Sequence, residues 1–288
     1  MSDITIDRPV LIIDAYNMIH RCRFEWGGGL AAGEYSVVYN FMRTLRLLVE
    51  DFSPSLVYFP LDGKPAARLE IDSSYKANRR VETQSEEEAA YWESFRRQKG
   101  IIIDTVKNYL PLKTVFHKEY ECDDLVLYLV KKILKTDGDA NIVIVSSDTD
   151  FIQLLNSYPN NVKLWNPLSK KYRENTDYDY VAWKAMVGDR SDNIPGVKGI
   201  GKVTAEKILK EAGALEGRME NDSFKKSFNH SYSLIKLDDL DGLDDEIDIS
   251  SREFLPSEVE RSFADMGFKS LLKETYLTKF NDTFKILV

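Results

Sequence analysis

Carboxylates gather at five places along this chain, and each group lies next to an apolar run or a helix start. The fullest is Ile142-Val143-Ile144-Val145-Ser146-Ser147-Asp148-Thr149-Asp150-Phe151, an apolar strand pattern with two acids two positions apart at its end. Removing acids from water beside an apolar strand disfavours their charged form, and a divalent cation would remove that penalty. The plainer reading is a strand-to-helix turn in which Asp148 or Asp150 caps a helix beginning near Phe151. Recurrence favours the metal. Asp14 closes Val10-Leu11-Ile12-Ile13, with Asn17 three residues on, and Asp62-Gly63 closes Leu56-Val57-Tyr58-Phe59-Pro60-Leu61. Glu119-Tyr120-Glu121-Cys122-Asp123-Asp124 follows Val115-Phe116-His117 and opens an apolar helix, where one or two acids would satisfy the macrodipole. Gly188-Asp189-Arg190-Ser191-Asp192-Asn193-Ile194-Pro195 completes the set. An all-oxygen donor set suits Mg²⁺ better than zinc, and Cys122 without a partner cysteine reads as a small packing residue.

The elements needed to hold these acids are written in the apolar spacing. Strands alternate with helical patterns such as Val38, Phe41, Leu45 and Leu48, which predicts an α/β fold with a mostly parallel sheet and helices on both faces. Ligands of such sheets bind at the carboxyl ends of the strands, where the acids would collect. Two further segments carry charge of the opposite sign. Tyr75-Lys76-Ala77-Asn78-Arg79-Arg80 is basic and aromatic, suited to phosphate contact and base stacking or simply to a solvated face. It precedes a helix start at Ser85-Glu86-Glu87-Glu88 and a helix with Tyr91, Trp92, Phe95, Arg96, Arg97 and Lys99. Gly196-Val197-Lys198-Gly199-Ile200-Gly201-Lys202 predicts a tight turn between two short helices, its amides free to bind a phosphate. Gly27-Gly28-Gly29 marks a turn and not a phosphate loop, since no Gly-Lys-Ser/Thr follows.

Composition excludes little but narrows the setting. No apolar run approaches the roughly 20 residues that span a bilayer, the N-terminus lacks a signal-peptide pattern, and two cysteines give no disulfide framework. A cytoplasmic location is the expectation. The net charge of −8 speaks against nucleic acid only until the acids are placed. Seven lie in one run, Asp238 to Asp248, and nine are candidate metal ligands, after which lysine and arginine outnumber the rest. The run itself reads as a solvated loop, with a linker, a DNA-mimicking patch or a docking site as alternatives.

Taken together, Asp14, Asp62-Gly63, Tyr75-Lys76-x-Asn78-Arg79, Glu121-x-Asp123-Asp124, Ser147-Asp148-x-Asp150-Phe151 and Gly188-Asp189-x-x-Asp192-Asn193 stand in the order and spacing of one family. The chain resembles the flap endonuclease (5′-nuclease) family, with Tyr120 to Tyr172 most similar to its phage ribonuclease H branch. The hairpin Gly196–Gly201 resembles that of the 5′-nuclease domain of bacterial DNA polymerase I. The resemblance covers about residues 8–215. It implies a PIN/5′-nuclease-like domain over 1–184 with a helical arch at about 73–100, and a helical C-terminal region over 185–288 containing a helix-hairpin-helix. It further implies a Mg²⁺-dependent structure-specific nuclease acting at 5′ ends or flaps of DNA and RNA–DNA hybrid, as in RNA-primer removal in phage-type replication.

Carried over residue by residue, Glu121, Asp123, Asp124 and Asp148 would surround a first ion with Asp14 and Asp62 nearby. Asp148, Asp150, Asp189 and Asp192 would hold a second, and Mn²⁺ would substitute for Mg²⁺. Lys76 and Arg79 would contact the scissile phosphate. Tyr75, Arg80, Gly196, Lys198, Gly199, Gly201 and Lys202 would touch DNA, with K⁺ a candidate at the hairpin. A single-strand-binding protein or sliding clamp is the partner class implied, and a monomer the expected state. Readings from other classes are a catalytically silent branched-DNA-binding protein, a haloacid-dehalogenase-type phosphatase and a PIN ribonuclease. The phosphatase needs Asp-x-Asp on its first strand, where this chain has Asp14-Ala15-Tyr16, and neither enzyme explains the hairpin.

Overall fold

The computed structural model describes residues 8–24, 33–79 and 85–288. Gly27–Gly29 and Arg80, singled out above, lie outside the described residues. Seven strands form one sheet: β1 (Val10–Ile13), β2 (Leu56–Leu61), β3 (Lys113–Phe116), β4 (Ile142–Val145), β5 (Val162–Asn166), β6 (Lys171–Arg173) and β7 (Asp248–Ser250). Their order is β6-β5-β4-β1-β2-β3-β7, with the five inner strands parallel and the two edge strands antiparallel to their neighbours. The central strands β1, β2 and β4 are apolar along their whole length because helices cover both faces.

Side chains alternate strictly between two cores. Leu11, Ile13, Val57, Phe59, Val143 and Val145 face one cluster, built with α1 (Ala15–Arg21), α2 (Ser36–Phe52) and α4 (Glu86–Tyr109). Ile12, Tyr58, Ile142 and Ile144 face the other, built with α5 (Cys122–Thr136) and α6 (Ile152–Ser157). Val38, Phe41, Leu45 and Leu48 form the buried seam of α2, as their spacing predicts. A third cluster joins α7 (Tyr180–Val187), α8 (Lys202–Lys210) and α10 (Asp222–Ile235), with α9 (Ala214–Met219) against it. Among the described residues no helix is long and apolar enough to cross a membrane.

The C-terminal region departs from the expected division. Residue 184 falls inside α7, and elements beyond it return to the sheet. β7 extends the sheet edge beside β3, while α11 (Pro256–Asp265) and α12 (Glu274–Lys285) contribute Val259, Phe263, Phe280 and Phe284 to the first core. The acidic run is an irregular, largely exposed segment, as expected, and three of its acids are tied to α5. Lys131 of α5 pairs with Asp239 at 2.7 Å and also with Asp241, and Asp244 takes Lys132 at 2.7 Å and the Tyr128 hydroxyl at 2.6 Å. Lys131 and Lys132 thus anchor three of the seven acids, and the run ends in β7.

Two glycines let the chain double back between α7 and α8. Gly188 and Gly196 both adopt positive φ, +80° and +70°. A Cβ on Gly188 would stand 2.6 Å from the Ile194 carbonyl oxygen, and one on Gly196 would stand 2.5 Å from the Gly188 nitrogen. Gly199 also has positive φ, +82°, but open space around it. In urea denaturation of the metal-free protein, Gly196→Ala should therefore cost at least about 2 kcal/mol, from conformational strain plus a backbone collision. Gly199→Ala should cost about 1 kcal/mol, from conformation alone. Equal losses at the two positions would count against this account.

A carboxylate centre at the carboxyl edge of the sheet

The parallel strands all end at the same edge, so the acids that follow β1, β2 and β4 collect there. Asp14, just past β1, is buried and caps α1 by accepting the Asn17 amide at 3.1 Å. Its second oxygen takes the Ser146 hydroxyl from the end of β4 at 2.8 Å. Asp62, past β2, accepts the Cys122 amide at the start of α5 at 2.7 Å. Gly63 is needed beside it, because its amide reaches the Tyr120 carbonyl at 2.8 Å and a Cβ there would stand 2.0 Å from the His117 carbonyl oxygen. Asp148 accepts the Asp150 amide at 2.9 Å, and α6 has no side-chain cap, so the capping alternative for Asp148 and Asp150 is not what the chain adopts.

Burial dominates the electrostatics of this edge. It pushes the Asp14 carboxyl up to about 7, against its Ser146 and Asn17 hydrogen bonds and helped by the charges of Asp62 and Asp148. Burial likewise raises Asp62, and it raises Asp123 well above the carboxylate range with Asp148 and Asp14 adding to the shift. Asp150 is lifted to about 6 by burial even though Lys184 opposes the rise. At Asp189 burial also pushes upward, but hydrogen bonds from Lys184 and Ser191 overcome it and hold the carboxyl at about 2. The Cys122 thiol is raised well above its usual value by burial and by Asp14 and Asp62, consistent with an inert packing residue.

The acids divide into two sets. Asp150, Asp189 and Asp192 offer oxygens that all lie within 4.8 Å of one another. Glu121 and Asp124 form a capping box at the start of α5 and are bound by cations. Arg68, in α3 (Ala66–Ile71), holds Asp124 with two bonds of 2.7 Å and reaches Glu121 at 3.1 Å. Asp124 also accepts the Asp238 amide at 2.9 Å. With its oxygens so engaged and no exposure, Asp124 positions the α5 start.

The basic segment closes over the same edge. Lys76 bonds Glu121 at 2.6 Å and lies 3.6 Å from Asp192, while Arg79 pairs with Asp192. Burial works against the Lys76 ammonium, yet Glu121 and Asp192 hold it protonated beyond its ordinary range. Its backbone stands at φ +55°, a costly region for a lysine, fixed by its amide bonding the Asp192 carbonyl at 2.9 Å. Asn78 and Asn193 add bonds of 2.6 and 2.9 Å between this segment and the 190–193 turn.

Two expected DNA contacts are placed elsewhere. Tyr75 is buried and donates its hydroxyl to Glu121 at 3.0 Å, leaving no ring face for a base. Gly196 is buried against Gly188, while Lys198, Gly199, Gly201 and Lys202 are exposed. The helix before the hairpin ends at Val187, ahead of Asp189 and Asp192, so the connection to α8 is longer than the tight turn anticipated.

Arg68 and Lys184 were not anticipated. Lys184 pairs with Asp150 and lies 2.6 Å from Asp189. Its signal was present: a lone lysine in Tyr-Val-Ala-Trp-Lys-Ala-Met-Val, a helix too apolar to leave that charge unpaired.

The model of the 5′-3′ exonuclease N-terminal resolvase-like domain matches residues 9–186, and that of the 5′-3′ exonuclease C-terminal SAM fold matches 176–241. The thermostable DNA polymerase I of Thermus aquaticus is 33% identical over 289 residues, covering 92% of this chain and 33% of that protein. DNA polymerase I of Streptococcus pneumoniae is 32% identical over 238 residues, covering 76% of this chain and 26% of that protein. The chain thus spans about a third or less of the length of these relatives. Among solved structures, the bacteriophage T5 flap endonuclease in complex with DNA and metal ions superposes with a TM-score of 0.64 at 19% identity, covering 97% of this chain and 99% of the other. The catalytic core of Rad2 in complex with DNA substrate gives 0.55 at 14%, covering 99% and 94%. These last two establish the shared fold, and the matched domain models establish the lineage: the chain belongs to the 5′-3′ exonuclease family.

Proposed function

We propose that this protein is a structure-specific 5′ nuclease that hydrolyses phosphodiester bonds at 5′ ends or flaps of DNA and of RNA–DNA hybrid with two Mg²⁺ ions, an activity that fits removal of RNA primers. The observation that carries this reading is the gathering of carboxylates from five separate segments at one edge, with Lys76 and Arg79 laid against them. The donor set fits a hard cation: every candidate ligand is a carboxylate oxygen, and burial makes the ionised forms of Asp14, Asp62 and Asp123 unfavourable until positive charge is supplied. Asp123 with Asp14, Asp62 and Asp148 would hold one ion, and Asp150, Asp189 and Asp192 the other. Two such ions supply an activated water, a neutralised phosphate and a stabilised leaving oxygen. The protein's own part is to orient the phosphate. Lys76 and Arg79, paired with Glu121 and Asp192 in the DNA-free protein, would turn to the scissile phosphate and stabilise its growing charge. Lys198 and Lys202, with the exposed Gly199 and Gly201 backbone, would hold duplex DNA without reading sequence.

Cleavage of 5′-labelled flap, blunt duplex and RNA-primed substrates should require Mg²⁺, with Mn²⁺ in its place also supporting it, and should stop in EDTA. Asp148→Asn should lose about three orders of magnitude or more, and Lys76→Ala about two, judged by the range for removing one positioned charge. Intact flap binding without any cleavage in the wild type would instead identify a silent branched-DNA-binding protein. For the hairpin, Lys198→Ala with Lys202→Ala should make the slope of log affinity against log salt shallower by about 2. An unchanged slope would remove the hairpin from the DNA interface.

The buried acids also predict a pH response. Asp14 has a folded value near 7 against 3.8 in the unfolded chain, so its protonated form is stabilised by folding. Its contribution is complete at low pH and is lost as pH rises through about 7. The melting temperature in EDTA should therefore rise as pH falls from 8.5 to 6.5, the underlying slope being at most about 1.4 kcal/mol per pH unit for each proton taken up. His20 works in the opposite sense, since burial lowers it to about 4, but only below its usual 6.5. Mg²⁺ should flatten the trend, because it favours the ionised carboxylates. A flat profile in EDTA would contradict the burial account of Asp14.

A further inference from the structure

Lys184 stands between the acids proposed to take the second ion. It is the one charged residue of α7, its side chain is only 8% exposed, and its ammonium touches Asp150 and, at 2.6 Å, Asp189. These two carboxylates, with Asp192, are the residues whose oxygens come within 4.8 Å of one another. An ammonium and a divalent ion bound to the same oxygens would lie about 4 Å apart and repel by roughly 8 kcal/mol at an effective dielectric of 20. That repulsion works against sharing the site and favours withdrawal of the ammonium. A lysine can withdraw, because its ammonium ends a flexible four-carbon stem and is readily hydrated.

We propose that Lys184 is the resident cation of the Asp150–Asp189–Asp192 group, that the second metal ion displaces it, and that this exchange sets the affinity of that ion. The proposal rests on the reading above that the group takes an ion. Without metal, the ammonium pairs with two of the three crowded acids and holds Asp150 and Asp189 together across the gap between β4 and the turn after α7, while Arg79 pairs with Asp192. With metal, binding requires breaking both contacts, so the second ion binds more weakly than the same three oxygens would allow. The alternative arrangement keeps Lys184 on the outer oxygens of a loaded site, where it would help binding. The two differ in sign.

The test uses the full chain stripped with EDTA, as wild type, Lys184→Met, Lys184→Gln and Asp189→Asn, each checked for folding by circular dichroism. Mn²⁺ is titrated in and the free ion counted by electron paramagnetic resonance, without DNA and without any activity readout. Melting is followed in EDTA and in Mg²⁺. Displacement predicts that Lys184→Met binds the second ion at least tenfold more tightly than wild type, with the first ion unchanged. It also predicts a lower melting temperature in EDTA and a larger gain from Mg²⁺. Asp189→Asn should lose the second ion. Lys184→Gln, which keeps a polar end, decides the matter should the methionine variant not fold. Second-ion binding equal to or weaker than wild type in these lysine variants would overturn the proposal while leaving the two-ion reading intact. Uptake of a single ion by wild type and every variant would refute the two-ion reading itself, and this inference with it.

Discussion

Negative charge held out of water is the constraint around which this molecule is arranged. Two carboxylate oxygens 4.8 Å apart, at an effective dielectric near 20, repel by roughly 3 kcal/mol. Three such pairs among Asp150, Asp189 and Asp192 sum to roughly 10 kcal/mol, comparable with the whole net stability of a domain, about 5–15 kcal/mol. Such a group is relieved either by cations beside it or by carboxyls that take up protons. Arg68 holds Asp124 and Glu121, Lys76 spans Glu121 and Asp192, Arg79 holds Asp192, and Lys184 spans Asp150 and Asp189. Apart from the Lys184–Asp189 pair, each comes from a segment other than the acid it balances. At Asp14, Asp62 and Asp123, which form no ion pair among the described residues, burial raises the carboxyls, against the more distant charge of Lys76 at Asp62 and Asp123.

This division explains what could be read in the sequence. The inner strands of a parallel sheet are buried on both faces, so each is a continuous apolar run, and the change to aspartate at its end is abrupt. Val10–Ile13, Leu56–Leu61 and Ile142–Val145 were legible for that reason, and with them the acids that follow. The edge strands β6 and β7 were not. Each is three residues long and polar, and β7 is built from the tail of an acidic run whose partners, Lys131 and Lys132, lie more than 100 residues away. The cations were also illegible in detail, since a basic residue's partner is fixed by tertiary approach and not by local spacing. Tyr75 shows the same limit: beside two basic residues it reads as a surface stacking group, whereas the fold turns it inward onto Glu121.

Glycine carried two meanings that sequence alone does not separate. At Gly63, Gly188 and Gly196 the backbone passes so close to another segment that a single carbon would collide. At Gly199 the requirement is conformational only, with free space around it. Spacing within Gly196–Gly201 suggested one shared role, yet Gly196 belongs to the scaffold that aims Asp189 and Asp192, and Gly199 to the exposed turn.

The same contacts make the acid centre and the hairpin region one mechanical unit. The segment bearing Lys76 has little regular structure of its own, and its position is set by the 190–193 turn through the Lys76 amide, Asn78 and Asn193. Arg68, besides holding Asp124 and Glu121, donates to the Leu234 and Lys236 carbonyls at the end of α10. α10 packs against α7, and α7 leads directly into Gly188 and Asp189. A displacement of the 190–193 turn therefore cannot move Asp192 alone. It carries Lys76 by a backbone bond, changes the pairing of Glu121, and acts on Lys184 through Asp189. Position and charge at this site are set together, because the groups that neutralise the acids are also the groups that tie the surrounding segments in place.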